Sequence, residues 1–342
     1  MTENKAFFAP GSQGLLKPLE PWLTDKQVSE ILINQPGEVF IERLGEMHRF
    51  ELPVLDSLHL KRLFTLIANE NSQVINESWP LLSGNLRDGS RVQLVIPPAA
   101  KEMTLSIRRQ SIASHSLADY EAASFFSKAK PFSLSKVNDL LSENDHQLLK
   151  LYHQQQWGEF IVLAILAKKT IVISGETSSG KTTFLNACCH HIPKHERLIT
   201  LEDTFEINLP HLNKVSLLAP KLREGAATVT MQDLVQCSLR LRPERLIMGE
   251  IRGREILDFI NACATGHEGS MTSIHASNPQ VAFMRMTQLY KLNNVPSMRD
   301  EDILRELNEV IDIIVQLKKT PAGRAVTWVY FKLASNKNTA TQ

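Results

Sequence analysis

The chain has 342 residues, of which 43% are hydrophobic and 22% charged, and a formal net charge of +1. That length exceeds what one hydrophobic core usually organises and predicts two domains, while the composition excludes the disordered and collagen-like classes. The near-neutral balance provides no global basic field, so direct sequence-specific nucleic-acid binding is not expected.

The start, Met1 to Pro10, lacks the long apolar core and small-residue cleavage site of a signal peptide, which predicts a cytoplasmic chain. From about Leu15 to Arg109 the pattern is mixed α/β. Val28 to Ile33 is mainly apolar and precedes a turn at Asn34-Gln35-Pro36-Gly37. Glu38 to Glu42 then reads as a short, partly buried strand. Asp88-Gly89 marks a turn before the alternating run Arg91 to Ile96, which ends at Pro97-Pro98, so antiparallel sheet is expected here. The stretch 127–138, rich in Lys and Ser, lacks periodicity and reads as a linker. It divides an N-terminal α+β domain over 1–126 from a second domain over 139–342.

In that second part the pattern becomes strand, loop, helix, repeated, which predicts parallel strands with helices on both faces. Phe160 to Ala167 is the longest apolar run and falls far short of the roughly 18 to 20 residues that cross a bilayer, so membrane contact is expected to be peripheral. Thr170 to Ser174 leads into a glycine loop, and Thr182 to His191 is helix-compatible. Leu198 to Leu201 and Arg245 to Met248 read as short buried strands, each soon followed by acids: Glu202 and Asp203 after the first, Glu250 after the second. Open α/β sheets bind ligands beyond the carboxyl ends of their strands. Ile311 to Leu317 and Ala325 to Lys332 flank Pro321-Ala322-Gly323 as a closing hairpin.

The chemistry centres on Gly175-Glu176-Thr177-Ser178-Ser179-Gly180-Lys181-Thr182. Glycines at 175 and 180 let consecutive backbone N–H groups face a phosphate chain at the start of a helix. In this pattern Lys181 reaches the β- and γ-phosphates and the Thr182 hydroxyl is placed to coordinate magnesium. A glycine-rich turn with no ligand is the bland alternative. Glu250 stands where P-loop proteins put an acid that handles magnesium or the attacking water, and Glu202 ends a strand in the same way. A solvated turn acid is the alternative for each. His275, at the end of the β-capable run within 266–276, is placed to donate to the γ-phosphate, although a lone histidine is more often structural. Arginines 240, 242, 245, 252 and 254 surround the second acidic strand. Most are expected to be paired or solvated, and one or more could act on a neighbouring subunit's nucleotide. Cys188, Cys189, Cys237 and Cys263 show no CxxC spacing and read as reduced thiols. Cys188-Cys189-His190-His191 is not read as a zinc site, because consecutive helical residues point about 100° apart.

Taken together these residues resemble the traffic ATPases of bacterial type IV secretion and conjugation systems, within the hexameric secretion-ATPase superfamily. The carrying segments are 175–183, Leu-Ile-Thr-Leu-Glu-Asp (198–203), Met-Gly-Glu-Ile-Arg-Gly (248–253) and Gly-His-Glu-Gly-Ser-Met-Thr-Ser-Ile-His-Ala (266–276), with Pro-Leu-Glu-Pro-Trp-Leu (18–23), Asn-Gln-Pro-Gly-Glu-Val-Phe-Ile-Glu (34–42), Arg-Val-Gln-Leu-Val-Ile-Pro-Pro (91–98) and Ser-Ile-Arg-Arg (106–109) in the N-terminal part. The resemblance implies an N-terminal domain joined to a RecA-like P-loop ATPase domain, six copies in a two-tiered ring, ATP and Mg2+ at the domain junction, and docking on partner ATPases and inner-membrane components. It also implies that Glu250 is the hydrolytic acid, that Glu202 assists water or magnesium, that His275 monitors the γ-phosphate, that Thr183 joins the phosphate loop, and that Arg108 contacts phosphate. Arg109 could serve in place of Arg108. No cysteine follows Cys263, whereas type II secretion ATPases usually carry a tetracysteine insertion near the C-terminus. That favours the type IV branch over a type II motor, with a pilus assembly or retraction motor as the nearest alternative. A P-loop kinase and a nucleotide-gated scaffold without turnover are the rivals from other classes.

Overall fold

The computed structural model describes residues 11–109, 117–122, 124–125, 127, 141–219 and 229–335. The expected linker 127–138 lies outside the described residues apart from Ser127.

Two sheets divide the chain. The first part holds α1 (Ser12–Leu16), α2 (Glu20–Thr24), β1 (Val28–Ile33), β2 (Glu38–Arg43), β3 (Glu46–Glu51), α3 (Ser57–Glu70), β4 (Leu81–Asn85), β5 (Arg91–Val95), β6 (Thr104–Arg108) and α4 (Leu117–Ala122). Its strands form a six-stranded sheet in the order β3-β2-β1-β6-β5-β4, with every neighbouring pair antiparallel. The Asp56 side chain caps α3 by accepting from the His59 N–H. Leu60, Leu63, Phe64, Ile67 and Ala68 recur at three- and four-residue spacing and so form one buried stripe in the core that also takes in Ile31, Ile41 and Leu105 of the strands.

The second part holds α5 (Glu143–His153), α6 (Trp157–Leu166), β7 (Ile171–Gly175), α7 (Lys181–Cys189), β8 (Leu198–Glu202), β9 (Lys214–Leu218), α8 (Met231–Ser238), β10 (Arg245–Met248), α9 (Glu255–Ala264), β11 (Met271–Ile274), α10 (Pro279–Tyr290), α11 (Asp300–Val310), β12 (Ile313–Thr320), β13 (Gly323–Phe331) and α12 (Lys332–Ser335). Its seven-stranded sheet runs β13-β12-β7-β11-β10-β8-β9, parallel throughout except for β13 against β12. Alternation along β7 divides the core: Val172 packs in one cluster with residues of α8 to α11, while Ile171 and Ile173 pack in another with residues of α5 to α7. Capping boxes at Ser142 with Asp145 and at Thr230 with Asp233 start α5 and α8.

The two parts are joined by a short ladder and by polar pairs. Lys101 N–H donates to the Ser216 carbonyl at 3.0 Å and Leu218 N–H to that of Ala99 at 2.9 Å, so the chain after β5 covers the edge strand β9. Val95, Ala99 and Ala100 enter the second domain's core. Arg242 holds Glu42 through two hydrogen bonds, and buried Arg197 donates to Asn34 at 2.6 Å and to Asn213 at 2.5 Å.

Candidate functional site

The order β7-β11-β10-β8 sets the carboxyl ends of four parallel strands in a row, and the residues singled out by the sequence stand along it. Gly175 ends β7, His275 follows β11, Glu250 follows β10 at a spacing of two residues, and Glu202 ends β8.

The loop after β7 is shaped by its glycines. Gly180 adopts φ +93° at the N-cap of α7, a left-handed conformation that side chains resist. A Cβ at Gly175 would collide with Ser179 Oγ and lie 2.9 Å from the Leu317 carbonyl oxygen, so only glycine lets β12 come this close. The Ser179 Oγ is buried without a hydrogen-bond partner. Thr182 is half-buried in the first turn of α7, while Glu176, Thr177, Ser178 and Thr183 are exposed. Lys181 is buried and folds back on the loop, donating to the carbonyls of Gly175 at 3.1 Å and Glu176 at 3.3 Å. Burial lowers its pKa, which the Glu250 carboxylate opposes.

From Lys181 a polar chain runs across the sheet. Its ammonium lies 3.3 Å from His275 Nδ1, and His275 Nε2 lies 3.2 Å from Glu250 Oε1. The neutral Nε2–H tautomer satisfies both contacts, accepting from Lys181 and donating to Glu250. The other oxygen of Glu250 accepts from Arg252 at 2.9 Å, and Arg252 also reaches Asp203 at 2.7 Å. These pairings, with the hydrogen bond to Glu250 foremost, raise the Arg252 pKa. Glu255 accepts the N–H groups of Arg252 and Gly253 and so fixes the turn on which Arg252 rides.

Glu202 stands deeper than Glu250. It is 2% exposed, and its Oε2 accepts the N–H groups of Glu206 and Ile207, both at 2.7 Å. Its Oε1 is buried and has no hydrogen-bond partner. Burial raises its pKa, against the pull of the two backbone donors. A buried free carboxylate oxygen, together with the Thr182 hydroxyl and a cradle that admits no Cβ, suits the magnesium–phosphate group that the loop pattern implies.

Arg108 does not join this row. Its side chain is 72% exposed and its partner is Glu30, 3.6 Å away across β1 and β6. Arg109 serves the backbone instead, donating to the carbonyls of Trp22, Asp25 and Val28. Of the remaining arginines, Arg245 is fully buried against Glu196 at 2.6 and 2.8 Å, and Arg242 is held by Glu42. Cys188 and Cys189 pack in the core, and burial pushes both thiols up to about 12. Sequence reasoning missed Arg324, whose Nε donates to the Ser178 carbonyl at 3.1 Å. It also gave Asp203 no part of its own.

A family model described as type II/IV secretion system protein matches residues 13–325. The chain belongs to that family. The type IV secretion system protein VirB11 of Brucella suis is 38% identical over 325 residues, covering 92% of this chain and 89% of that protein. PtlH, a type IV secretion system protein of Bordetella pertussis, is 35% identical over 329 residues, covering 93% and 94%. The crystal structure of the VirB11 ATPase from the Brucella suis system, in complex with sulphate, aligns with a TM-score of 0.87 at 36% identity over 94% of this chain and 99% of that one. Within the family this is a VirB11-like type IV secretion ATPase, with the two-domain α/β architecture of that solved relative. Among the described residues, no helix of this secretion ATPase is long and apolar enough to cross a membrane.

Proposed function

We propose that this secretion ATPase binds ATP with Mg2+ on the loop Gly175 to Thr183 and hydrolyses it at the carboxyl edge of the second sheet. It works as a homohexameric ring, peripheral at the cytoplasmic side of the inner membrane, where it powers type IV secretion, conjugative transfer or pilus assembly. The observation that carries the reading is the continuous row Lys181–His275–Glu250–Arg252–Asp203 across four strand ends, next to the glycine cradle.

In this mechanism Lys181 leaves the Gly175 and Glu176 carbonyls for phosphate oxygens, exchanging neutral acceptors for charged ones. Thr182 holds magnesium, which neutralises charge on the phosphates when bound. Glu250 orients and deprotonates water. Both of its oxygens are engaged here, so it must release Arg252 or His275 to do so, and Asp203 keeps Arg252 partnered when it swings away. His275 couples the two ends, since any movement of Lys181 toward phosphate alters its contact with Glu250. The unpartnered oxygen of Glu202 assists water or magnesium. Arg108 stands outside the row here, exposed and only loosely paired with Glu30, and it supplies a phosphate contact only if the N-terminal domain moves it toward the loop. Partner ATPases and inner-membrane components of the secretion channel receive the domain motion.

The test is magnesium-dependent phosphate release per subunit as protein concentration rises, with Glu250→Gln run beside the wild type. Expected are a rise with concentration and a loss of about 10²-fold or more in the variant with nucleotide binding retained. Activity that survives in Glu250→Gln would remove that residue from the hydrolytic role. A phosphorylated acceptor in place of free phosphate would favour a kinase, and tight binding without turnover a scaffold.

A further inference from the structure

The hairpin of β12 and β13 reaches past the strand it borders. β12 pairs with β7 only as far as Leu317 opposite Gly175, so Lys318–Thr320 and the facing residues Gly323–Ala325 project beyond the end of β7. Arg324 lies across the phosphate loop: its Nε donates to the Ser178 carbonyl at 3.1 Å, and its Cδ would be 2.9 Å from a Cβ at Gly180. Directly opposite Arg324 in the hairpin stands Lys319. Like charges facing each other across an antiparallel pair destabilise it unless an anion compensates them. Among the described residues no carboxylate lies within ion-pair range of either cation. Arg324 is exposed and commits one donor of its planar fork to a neutral carbonyl, leaving both terminal nitrogens for a ligand.

The sheet order says which part of a ligand these cations meet. β11 and β10, which carry His275 and Glu250, lie on one side of β7, and β12 lies on the other. A phosphate chain with its reacting end toward Glu250 therefore presents its opposite end toward the hairpin. We infer that Arg324, with Lys319 beside it, binds the α- and β-phosphates of the nucleotide held in the same subunit, exchanging the Ser178 carbonyl for phosphate oxygens. The inference rests on the nucleotide site proposed above. Arg324 acts in binding and release, remote from the water that Glu250 handles.

Calorimetric titration of the full chain with ADP and with pyrophosphate tests this in the wild type, Arg324→Ala, Arg324→Lys and Lys181→Ala, alongside melting without nucleotide. Arg324→Ala should bind both ligands about tenfold more weakly, the size of one charge-assisted hydrogen bond, with a nucleotide-free melting temperature no lower than the wild type's and partial recovery in Arg324→Lys. Wild-type affinity for ADP in Arg324→Ala overturns the inference while leaving the nucleotide site in place. Weakened ADP binding with unchanged pyrophosphate binding moves the contact to the nucleoside and also overturns it. A matching fall in the nucleotide-free melting temperature makes Arg324 a brace of the loop and does the same. If the wild type binds neither ligand, or Lys181→Ala binds both as the wild type does, the nucleotide site itself fails, independently of Arg324.

Discussion

Glu250 is held from two sides, by Arg252 at 2.9 Å and by His275 at 3.2 Å, and this double hold makes its position sensitive to either neighbour. His275 also touches Lys181, so removing the ring severs the only side-chain link between the phosphate loop and the carboxylate seen among the described residues. A carboxylate displaced by about 1 Å from the attacking water costs on the order of 10²-fold in rate. His275→Ala should therefore lower kcat by about 10²-fold while nucleotide affinity stays within about threefold, because the ring is absent from the cradle itself. Steady-state phosphate release paired with a binding titration reads the split. A raised KM with kcat intact would instead make His275 a binding residue. At this scale the sequence was informative wherever a role depends on neighbours along the chain, as in Gly180, Lys181 and Thr182. It could not separate Arg108 from Arg109, because their difference lies in the carbonyls of Trp22, Asp25 and Val28, which only the folded N-terminal domain brings to the Arg109 guanidinium.

Apart from β9, the strands of the second sheet were legible because each contains a short apolar run bounded by polar or glycine residues. Their order was not, since parallel neighbours are joined by crossovers and share no local signal. That is why Arg324 escaped notice: the hairpin at 321–323 was readable, but its position beside β7 follows from β12 lying between β13 and β7. β9, with Lys, Ser and Leu mixed in a half-exposed pattern, carried too weak an apolar signal to be identified. The buried pair Arg245–Glu196 shows what fixes one of these elements. Arg245 at the start of β10 is fully buried, takes Glu196 in a two-pronged contact, and donates to the Ile165 carbonyl at the end of α6 at 2.7 Å. Breaking such a pair from one side leaves an uncompensated buried charge, which costs about 3–5 kcal/mol, whereas replacing both partners by apolar groups is far less harmful. Arg245→Met should destabilise the chain by that amount in urea denaturation, and Arg245→Met with Glu196→Leu should recover most of the loss. A double variant no more stable than the single one would show that the carbonyl contact to α6, and not the charge pair, sets the stability.

Across the whole molecule the two domains meet through a short ladder, a few apolar residues and a charged cluster, the kind of limited, partly polar interface that leaves relative domain motion open. Glu30 sits within that cluster, 5% exposed, with one oxygen lacking any partner. Burial pushes its pKa from 4.5 up to about 7, with the neighbouring Glu42 carboxylate adding to the rise and Arg108, Arg242 and Arg197 opposing it. Arg197, itself buried, is drawn down to about 9 and stays cationic near neutrality. The folded pKa of Glu30 lies above the unfolded one, so between 4.5 and about 7 the native chain binds more protons than the unfolded chain. Stability from this group is present in full below that window and is lost as pH rises through it, by on the order of 3 kcal/mol. Glu30→Gln keeps the shape and cannot ionise, so it should be no less stable than the wild type at about pH 8 and should lack the wild type's decline through this window. Denaturant midpoints for the two proteins at several pH values measure the difference directly, and the histidines, common to both, cancel. If the two curves run parallel, Glu30 is ionised in the folded chain, and the arginines around it outweigh its burial.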